Sequence, residues 1–315
     1  MDGSAAHVDR LQGLLQRFSV SARMFHSGPL CGINDFDDNG LGQLHLVRRG
    51  PLTVRHTGDE HVVQEPSLLF YPRPLAHRFI TDASTGADMA CANLDFGGGA
   101  ANPITRALPA FVQLPLSALP SALPVLDLLF DEAFAQRCGR QVLVDRLFDA
   151  VLVLLLRHLL DSGLVQSGPL AGLGHPQLAK ALAAMHEAPA SPWTLESLAA
   201  VAGMSRSRFA EVFADRVGTP PSAYLASYRI TLAQDALRRG DKLERIAQQV
   251  GYGSAAALSR AFASVCGVSP RQWLKAADAS AGSLPAMATA RTDPFVGEQE
   301  DRQRKANRRQ HELQR

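Results

Sequence analysis

RIAQQVGYGSAAALSRAFASVCGVSPRQW, Arg245–Trp273, decides how the C-terminal half of the chain folds. Ile246, Ala247 and Val250 fall on one side of a short helix. The preceding Asp241-Lys-Leu-Glu244 resembles a capping box with Asp in the Ser/Thr position. Gly251 permits a sharp turn. Ser254 is a natural N-cap, because its hydroxyl can satisfy a free amide of the next turn. Leu258, Ala261 and Phe262 then recur at helical spacing and point inward. The whole predicts helix–turn–helix, its second helix spanning Ser254–Cys266.

The same unit occurs once more upstream. Phe213, Gly218, Pro221 and Tyr224 return as Phe262, Gly267, Pro270 and Trp273, each 49 residues on. Gly203-Met204 returns as Gly251-Tyr252. Recurrence at a fixed offset marks two copies of one supersecondary element. In the first copy Leu195–Ala202 is a helix with Leu198 and Val201 facing inward. Gly203 turns, Ser205 caps, and Arg206–Val217 packs through Phe209, Val212 and Phe213. Ser222–Arg239 bridges the two copies. A plain helical bundle does not account for a glycine turn, a serine cap and an arginine-bearing helix in the same order twice.

Charge follows this division. Residues 1–175 hold 13 Lys/Arg and 17 Asp/Glu, and residues 176–278 hold 12 and 8. An acidic front half with a basic back half fits a regulatory module joined to a nucleic-acid-binding one. Apolar residues make up 46% of the chain, enough for packed cores. Met1–Arg17 lacks the apolar core of a secretory leader. The most apolar run, Ala150–Leu156, is far short of the ~20 residues of a membrane span. Cys31, Cys91, Cys138 and Cys266 are scattered without a C-x-x-C pair, which reads as free cytosolic thiols.

In the front half, β-type runs lie between breakers: Leu44–Val47, Leu52–His56, His61–Gln64, Ser67–Tyr71 and Met89–Phe96. They predict a small sandwich or barrel. Leu123–Arg137 and Gln141–Leu160 predict helices broken near Cys138-Gly139. In the second, Leu143, Leu147, Val151, Leu154 and His158 share a face, widened by Val144, Phe148, Leu152 and Leu155. Ser162–Pro176, rich in Gly and Pro, reads as a linker. From Ala276 the chain turns Ala/Ser/Gly-rich and then charged, the composition of a disordered tail.

Trp193–Trp273 resembles the DNA-binding domain of AraC/XylS-family regulators along its whole length, and Arg245–Trp273 matches that family's signature almost position for position. The resemblance implies two recognition helices, Ser205–Val217 and Ser254–Cys266, entering successive major grooves on one face of bent DNA. Outward on the first are Arg206, Ser207, Arg208, Ala210 and Glu211; on the second, Ala255, Ala256, Ser259 and Arg260. Arg208 and Arg260 can each fork onto a guanine. Arg206, Arg216, Arg229, Arg271 and Lys275 suit phosphates, which position without specifying. Glu211 departs from the family's usual basic or amide residue, so it either reads a cytosine amino group or repels phosphate. The run Ala255-Ala256-Ala257 leaves readout on the second helix to methyl contacts and Arg260.

Residues 23–96 resemble the cupin-type sensor domain found ahead of such DNA-binding domains. PRPLAHRF (Pro72–Phe79) resembles the second cupin motif, with Pro74 in place of glycine. His77 is then the survivor of a metal set. His45 lacks its partner, Val47 standing where a second histidine belongs, and His56 and His61 lie too far apart in sequence to restore the pattern. Three or four convergent ligands are needed for a metal, so no cofactor or metal is expected. GPLCGINDF and MACANLDF resemble segments of a subgroup answering reactive chlorine, which implies that Cys31 and Cys91 form a sulfenic acid and then a disulfide. Both cysteines as small apolar fillers is the competing assignment, and a small-molecule pocket inside the barrel is the other sensing mode.

The expectation is an α+β chain. A cupin-like β-barrel with two following helices (1–161) precedes a linker (162–176), an all-α domain with two helix-turn-helix units (177–278) and a disordered tail (279–315). Its expected work is transcription regulation in the cytoplasm, as a homodimer on double-stranded promoter DNA with RNA polymerase as partner, answering a small-molecule effector or an oxidant, with no membrane and no catalysis. The alternatives are a metal-independent cupin enzyme and a DNA-binding protein without effector.

Overall fold

The computed structural model describes residues 9–17, 20–96, 102, 104–105, 108–165 and 167–281. The chain divides into two units, Met1–Pro270 and Arg271–Arg315.

The described strands of the first unit form two antiparallel sheets, ordered β1-β8-β3-β6-β9 and β2-β7-β4-β5. The larger holds β1 (Ser21–Leu30), β8 (Ala87–Asp95), β3 (Gly42–Arg49), β6 (Ser67–Tyr71) and β9 (Val112–Pro115). The smaller holds β2 (Ile33–Phe36), β7 (His77–Ile80), β4 (Leu52–His56) and β5 (Asp59–Val63). Two cores flank the larger sheet. Leu44, Leu46, Leu68, Phe70, Ala90 and Ala92 join the helical core, while Val47, Leu69, Tyr71, Met89 and Cys91 join Leu52, Val54, Val63 and Phe79 of the smaller sheet. Burial on both faces is why β3 and β6 show little apolar–polar alternation.

The predicted strands are present, and β1, β2, β7 and β9 add to them. SARMFHSGPL, the β1 sequence, contains Gly28 and Pro29, which propensity places outside strands. Cross-strand pairing along β8 overrides that preference. Its other flank, at the sheet edge, is met by side chains. Asp149 and Asp145 accept hydrogen bonds from the backbone amides of Ala22 (2.7 Å) and Met24 (2.8 Å). Carboxylates on a helix thus cover an edge that would otherwise invite strand addition.

Those carboxylates belong to α3. Helix α1 (Gln12–Arg17) precedes the sheets; α2 (Leu123–Ala133) and α3 (Arg140–Asp161) follow them, with Gly139 left-handed (φ 78°) in the break. The buried face of α3 is Val144, Phe148, Val151, Leu152, Leu155, Leu156, Leu159 and Leu160. Leu143, predicted to share the inner face with Leu147, Val151, Leu154 and His158, is instead 41% exposed. The sheet selects the neighbouring stripe because the Asp145 and Asp149 bonds to β1 fix the rotation of the helix.

The 162–176 stretch is packed rather than loose. It contains α4 (Pro169–Gly174), whose Leu170 and Leu173 are buried. The remaining helices of this unit are α5 (Leu178–Glu187), α6 (Leu195–Ala202), α7 (Arg206–Val217), α8 (Pro221–Arg238), α9 (Leu243–Gln249) and α10 (Ala255–Cys266). A Cβ on Gly172 would lie 2.7 Å from Leu182 Cδ1 and 2.8 Å from Val217 Cγ2, so only glycine lets α4 approach α5 and α7 this closely. The Gly168 amide also donates to the Arg216 carbonyl (2.9 Å). Helix α1 meets α5, where a Cβ on Gly13 would stand 3.0 Å from His186 Cβ.

The last described helix is α11 (Pro270–Ala281), all but its first residue in the second unit. That helix continues beyond Ala276, where the composition had suggested order would end. The rest of the tail expected over 279–315, from 282 onward, lies outside the described residues.

Candidate nucleic-acid interface

Each copy of the repeat builds its outer helix with the same local chemistry. Gly203 ends α6 in the left-handed region (φ 66°), and Ser205 caps α7 by accepting from the Arg208 amide. Gly251 is left-handed at φ 81°, and the Ser254 side chain accepts from the Ala257 amide at the start of α10. Gly218 and Gly267 close the two helices at φ 80° and 74°. Phe209 and Phe213 on α7, and Leu258 and Phe262 on α10, are fully buried. Inner aromatics hold each helix to its unit and leave the opposite face to solvent.

Two local expectations fail. Val201 is 38% exposed, not inward. Asp241 does not cap α9: Lys242 occupies the N-cap without a side-chain bond, and Asp241 lies 3.8 Å from both Arg239 and Arg245. Asp241 stands one residue before the N-cap and faces Arg239 and, in the first turn of the helix, Arg245.

On α7, Arg206, Ser207, Arg208 and Glu211 are all exposed. Arg206 pairs with Glu196 (2.8 Å) and Arg208 with Glu211 (2.9 Å). Exposed pairs of this kind contribute about 0–1 kcal/mol, so a phosphate or base edge can displace them. On α10, Ala256 and Arg260 are exposed and Ala255 and Ser259 half-buried. Arg260 forms no ion pair among the described residues.

Arg229, which the sequence marks as a phosphate ligand, is occupied elsewhere. Its guanidinium donates to the carbonyls of Pro189 (2.7 Å) and Ser191 (2.8 Å) and lies 5.7 Å from the Tyr252 ring centre. Burial lowers its pKa from the usual arginine value. Between those two carbonyls sits Ala190. A Cβ on Gly251 would fall 2.7 Å from Ala190 Cα and O. Arg229, on the bridging helix, therefore clamps the loop before the first unit against the turn of the second. Sequence spacing could not reveal this, because the partners are backbone atoms about 40 residues away.

In the β-domain His77 is not solitary. Its Nδ1 lies 2.8 Å from the Leu75 carbonyl and its Nε2 3.1 Å from His45 Nε2. A carbonyl only accepts, so Nδ1 of His77 carries the proton and Nε2 accepts from His45. That leaves His45 Nδ1 as a buried acceptor, and it indeed has no partner. Burial holds His77 down to about 4, and holds His45 well below the ordinary histidine value with help from His77 and His26. Phe36, Tyr71 and Phe79 surround the pair. Among the described residues no third His, Cys, Asp or Glu side chain converges with these two imidazoles.

Cys31 and Cys91 are not brought together. Cys31 is exposed and Cys91 fully buried, its thiol pushed well up by desolvation. Leu30, beside Cys31, pairs with Ala87, four residues from Cys91 on β8. That separation is roughly 13 Å of strand, against the ~7 Å limit for a disulfide. The predicted bond needs the barrel edge to open.

His56 and His61, set aside on sequence distance, do meet. The β4–β5 hairpin pairs His56 with Asp59 and Val54 with His61, so their rings stack at 5.0 Å.

A family profile described as Cupin matches residues 9–161, and one described as Helix-turn-helix domain matches residues 198–276. An AraC-like transcription regulator of Streptomyces lividans is 38% identical over 251 residues, covering 78% of this chain and 81% of the relative. One of Streptomyces antibioticus is 31% identical over 299 residues, covering 85% and 97%. The RCS-specific HTH-type transcriptional activator RclR of Escherichia coli is 27% identical over 248 residues, covering 75% and 86%.

Proposed function

The chain belongs to the family of AraC-like transcription regulators, and we propose that α7 and α10 are its two reading helices, governed by the domain in front of them. The supporting observation is the duplicated unit: two serine-capped helices, each preceded by a left-handed glycine, each exposing its outer face. A helix of this size fits the major groove, with its first turns at the base edges.

Roles follow from what each side chain is free to do. Arg260, without an ion-pair partner among the described residues, forks onto a guanine. Arg208 does so after leaving Glu211. Ala255 and Ala256 pack on thymine methyls, Ser207 and Ser259 bond to bases or phosphates, and Arg206 and Arg216 take phosphates. The sensing domain covers 1–161, the connector 162–176 and the reading domain 177–278. Leu128, Val142 and Leu143, exposed on α2 and α3, form the apolar surface of a homodimer that works in the cytoplasm with RNA polymerase.

Control passes from α1 to α5 and from the connector helix α4 to α5 and the reading helix α7, the contacts by which the cupin-like domain and the connector meet the reading domain. Its trigger is a small molecule acting on the β-domain. Oxidation starting at Cys31 is the second trigger we consider, supported by the likeness to the RCS-specific regulator and by the exposure of that thiol.

Selection of binding sites from random duplexes with the purified full chain tests the assignment. A two-part consensus is expected. Arg260→Ala is expected to weaken the selected site by about 1–3 kcal/mol and relax one base position. An unchanged consensus removes Arg260 from readout, and no enrichment at all overturns the proposal.

A further inference from the structure

We propose that the tip of the β4–β5 hairpin is a transition-metal site in which His56, Asp59 and His61 ligate a divalent cation of the zinc, cobalt, nickel or copper(II) group. It is separate from the DNA-reading helices and from the His45–His77 pair.

The backbone builds the arrangement. Thr57 (φ 49°) and Gly58 (φ 89°) form a two-residue turn with both φ angles positive, the tight turn that matches strand twist. It sets His56 opposite Asp59 and Val54 opposite His61. Residues opposite each other share a face, and positions two apart along a strand do too. All three candidate ligands therefore project from one face of one rigid hairpin. Their ligand-forming atoms lie within 4.8 Å of one another. Bonds of about 2.1 Å to one ion require ligand atoms roughly 3.4 Å apart, so the three atoms need to draw together by no more than about 1.4 Å. Among the described residues no other three His, Cys, Asp or Glu side chains converge in this way.

The surroundings suit an ion. The ring of Phe111 lies 4.6 Å from that of His56 and 5.0 Å from that of His61, forming an apolar back wall. Asp59 is exposed and His61 half-exposed, which leaves an entry path and a position for water. Tyr71 Oη lies 3.3 Å from His56 Nδ1. When Nδ1–H donates to that hydroxyl oxygen, the lone pair falls on Nε2, the outer-partner arrangement that orients ligating histidines. Two imidazoles and one carboxylate make a donor set of borderline softness, favouring these metals over magnesium or calcium, which prefer oxygen.

Titration of the metal-free full chain with Zn²⁺, and with Co²⁺ followed by its visible absorption, tests the site. One ion per chain is expected. His61→Gln and Asp59→Asn sit at exposed or half-exposed positions and should leave the far-ultraviolet circular dichroism unchanged. The first is expected to lose the ion, the second to weaken binding about tenfold or more. A chain carrying Cys31→Ser and Cys138→Ser is expected to bind as before. Less than one ion per chain, undiminished binding in folded His61→Gln, or loss of binding in the double-serine chain would each overturn the proposal. DNA binding by the same preparations, measured without metal, reports on the regulator assignment independently.

Discussion

Gly203 and Gly251 occupy the same place in the two units, yet alanine should affect them very differently. Both are left-handed, at φ 66° and 81°. That conformation costs a non-glycine residue roughly 1–2 kcal/mol. The stiffer unfolded chain of the alanine variant returns about 0.4–1 kcal/mol. At Gly203 no atom lies within 4 Å of an added Cβ, so Gly203→Ala should lose about 1 kcal/mol. At Gly251 the added Cβ would meet Ala190 Cα and O at 2.7 Å and its carbonyl carbon at 3.0 Å. These are backbone atoms in a loop that Arg229 holds at Pro189 and Ser191, so no rotamer change relieves the clash. Overpacking adds about 1–3 kcal/mol, giving roughly 2–4 kcal/mol for Gly251→Ala. The chain has two tryptophans, Trp193 and Trp273, both in this half. Their fluorescence during urea unfolding of the full chain therefore reports on the affected half. Anisotropy on a selected duplex gives the functional loss, which should be greater for Gly251→Ala because the turn sets one unit against the other. Equal losses of stability in the two variants, or a larger loss at Gly203, would refute the clamp.

Arg229→Met should weaken DNA binding while leaving its dependence on salt concentration unchanged, because the side chain binds carbonyls; a shallower slope, near 0.9 per lost contact, would return it to the phosphate ligands. His77 is held at about 4 when folded, against 6.5 for an ordinary histidine. The unfolded chain thus binds the extra proton first, and stability present above about pH 6.5 should decline by roughly 3 kcal/mol as pH falls towards 4. Melting temperatures of the parent chain and of His77→Leu between pH 7 and 5 check this, the variant being expected to lose less on acidification; parallel declines would sink the assignment. Substoichiometric hypochlorite followed by peptide mass mapping should find Cys31 modified before Cys91, since burial keeps the latter a protonated thiol; equal early modification would show that the barrel opens readily.

The duplicated unit was legible in the residues because its determinants are local. A left-handed glycine, a serine accepting from an amide three residues on, and aromatic residues at helical spacing all act within two turns of the chain. The fold class of the front half was legible for a similar reason, its strands lying between glycine and proline breakers. Pairing escaped. β1 carries a glycine and a proline and exists because β8 and two aspartates of α3 satisfy its backbone. Which stripe of α3 faces inward was decided by those same bonds, not by the periodicity, which allowed two adjacent stripes.

The residues alone thus determined that this chain carries two helix-turn-helix units behind a β-domain. Tertiary structure decided what the polar side chains do: Arg229 clamps a loop, His45 and His77 pair across 32 residues, Cys31 and Cys91 stay apart, and one hairpin gathers two histidines and an aspartate. The physical reason is reach. Capping and turns depend on neighbours within a few positions, whereas a guanidinium, an imidazole or a thiol takes its role from whichever strand or loop the fold places against it.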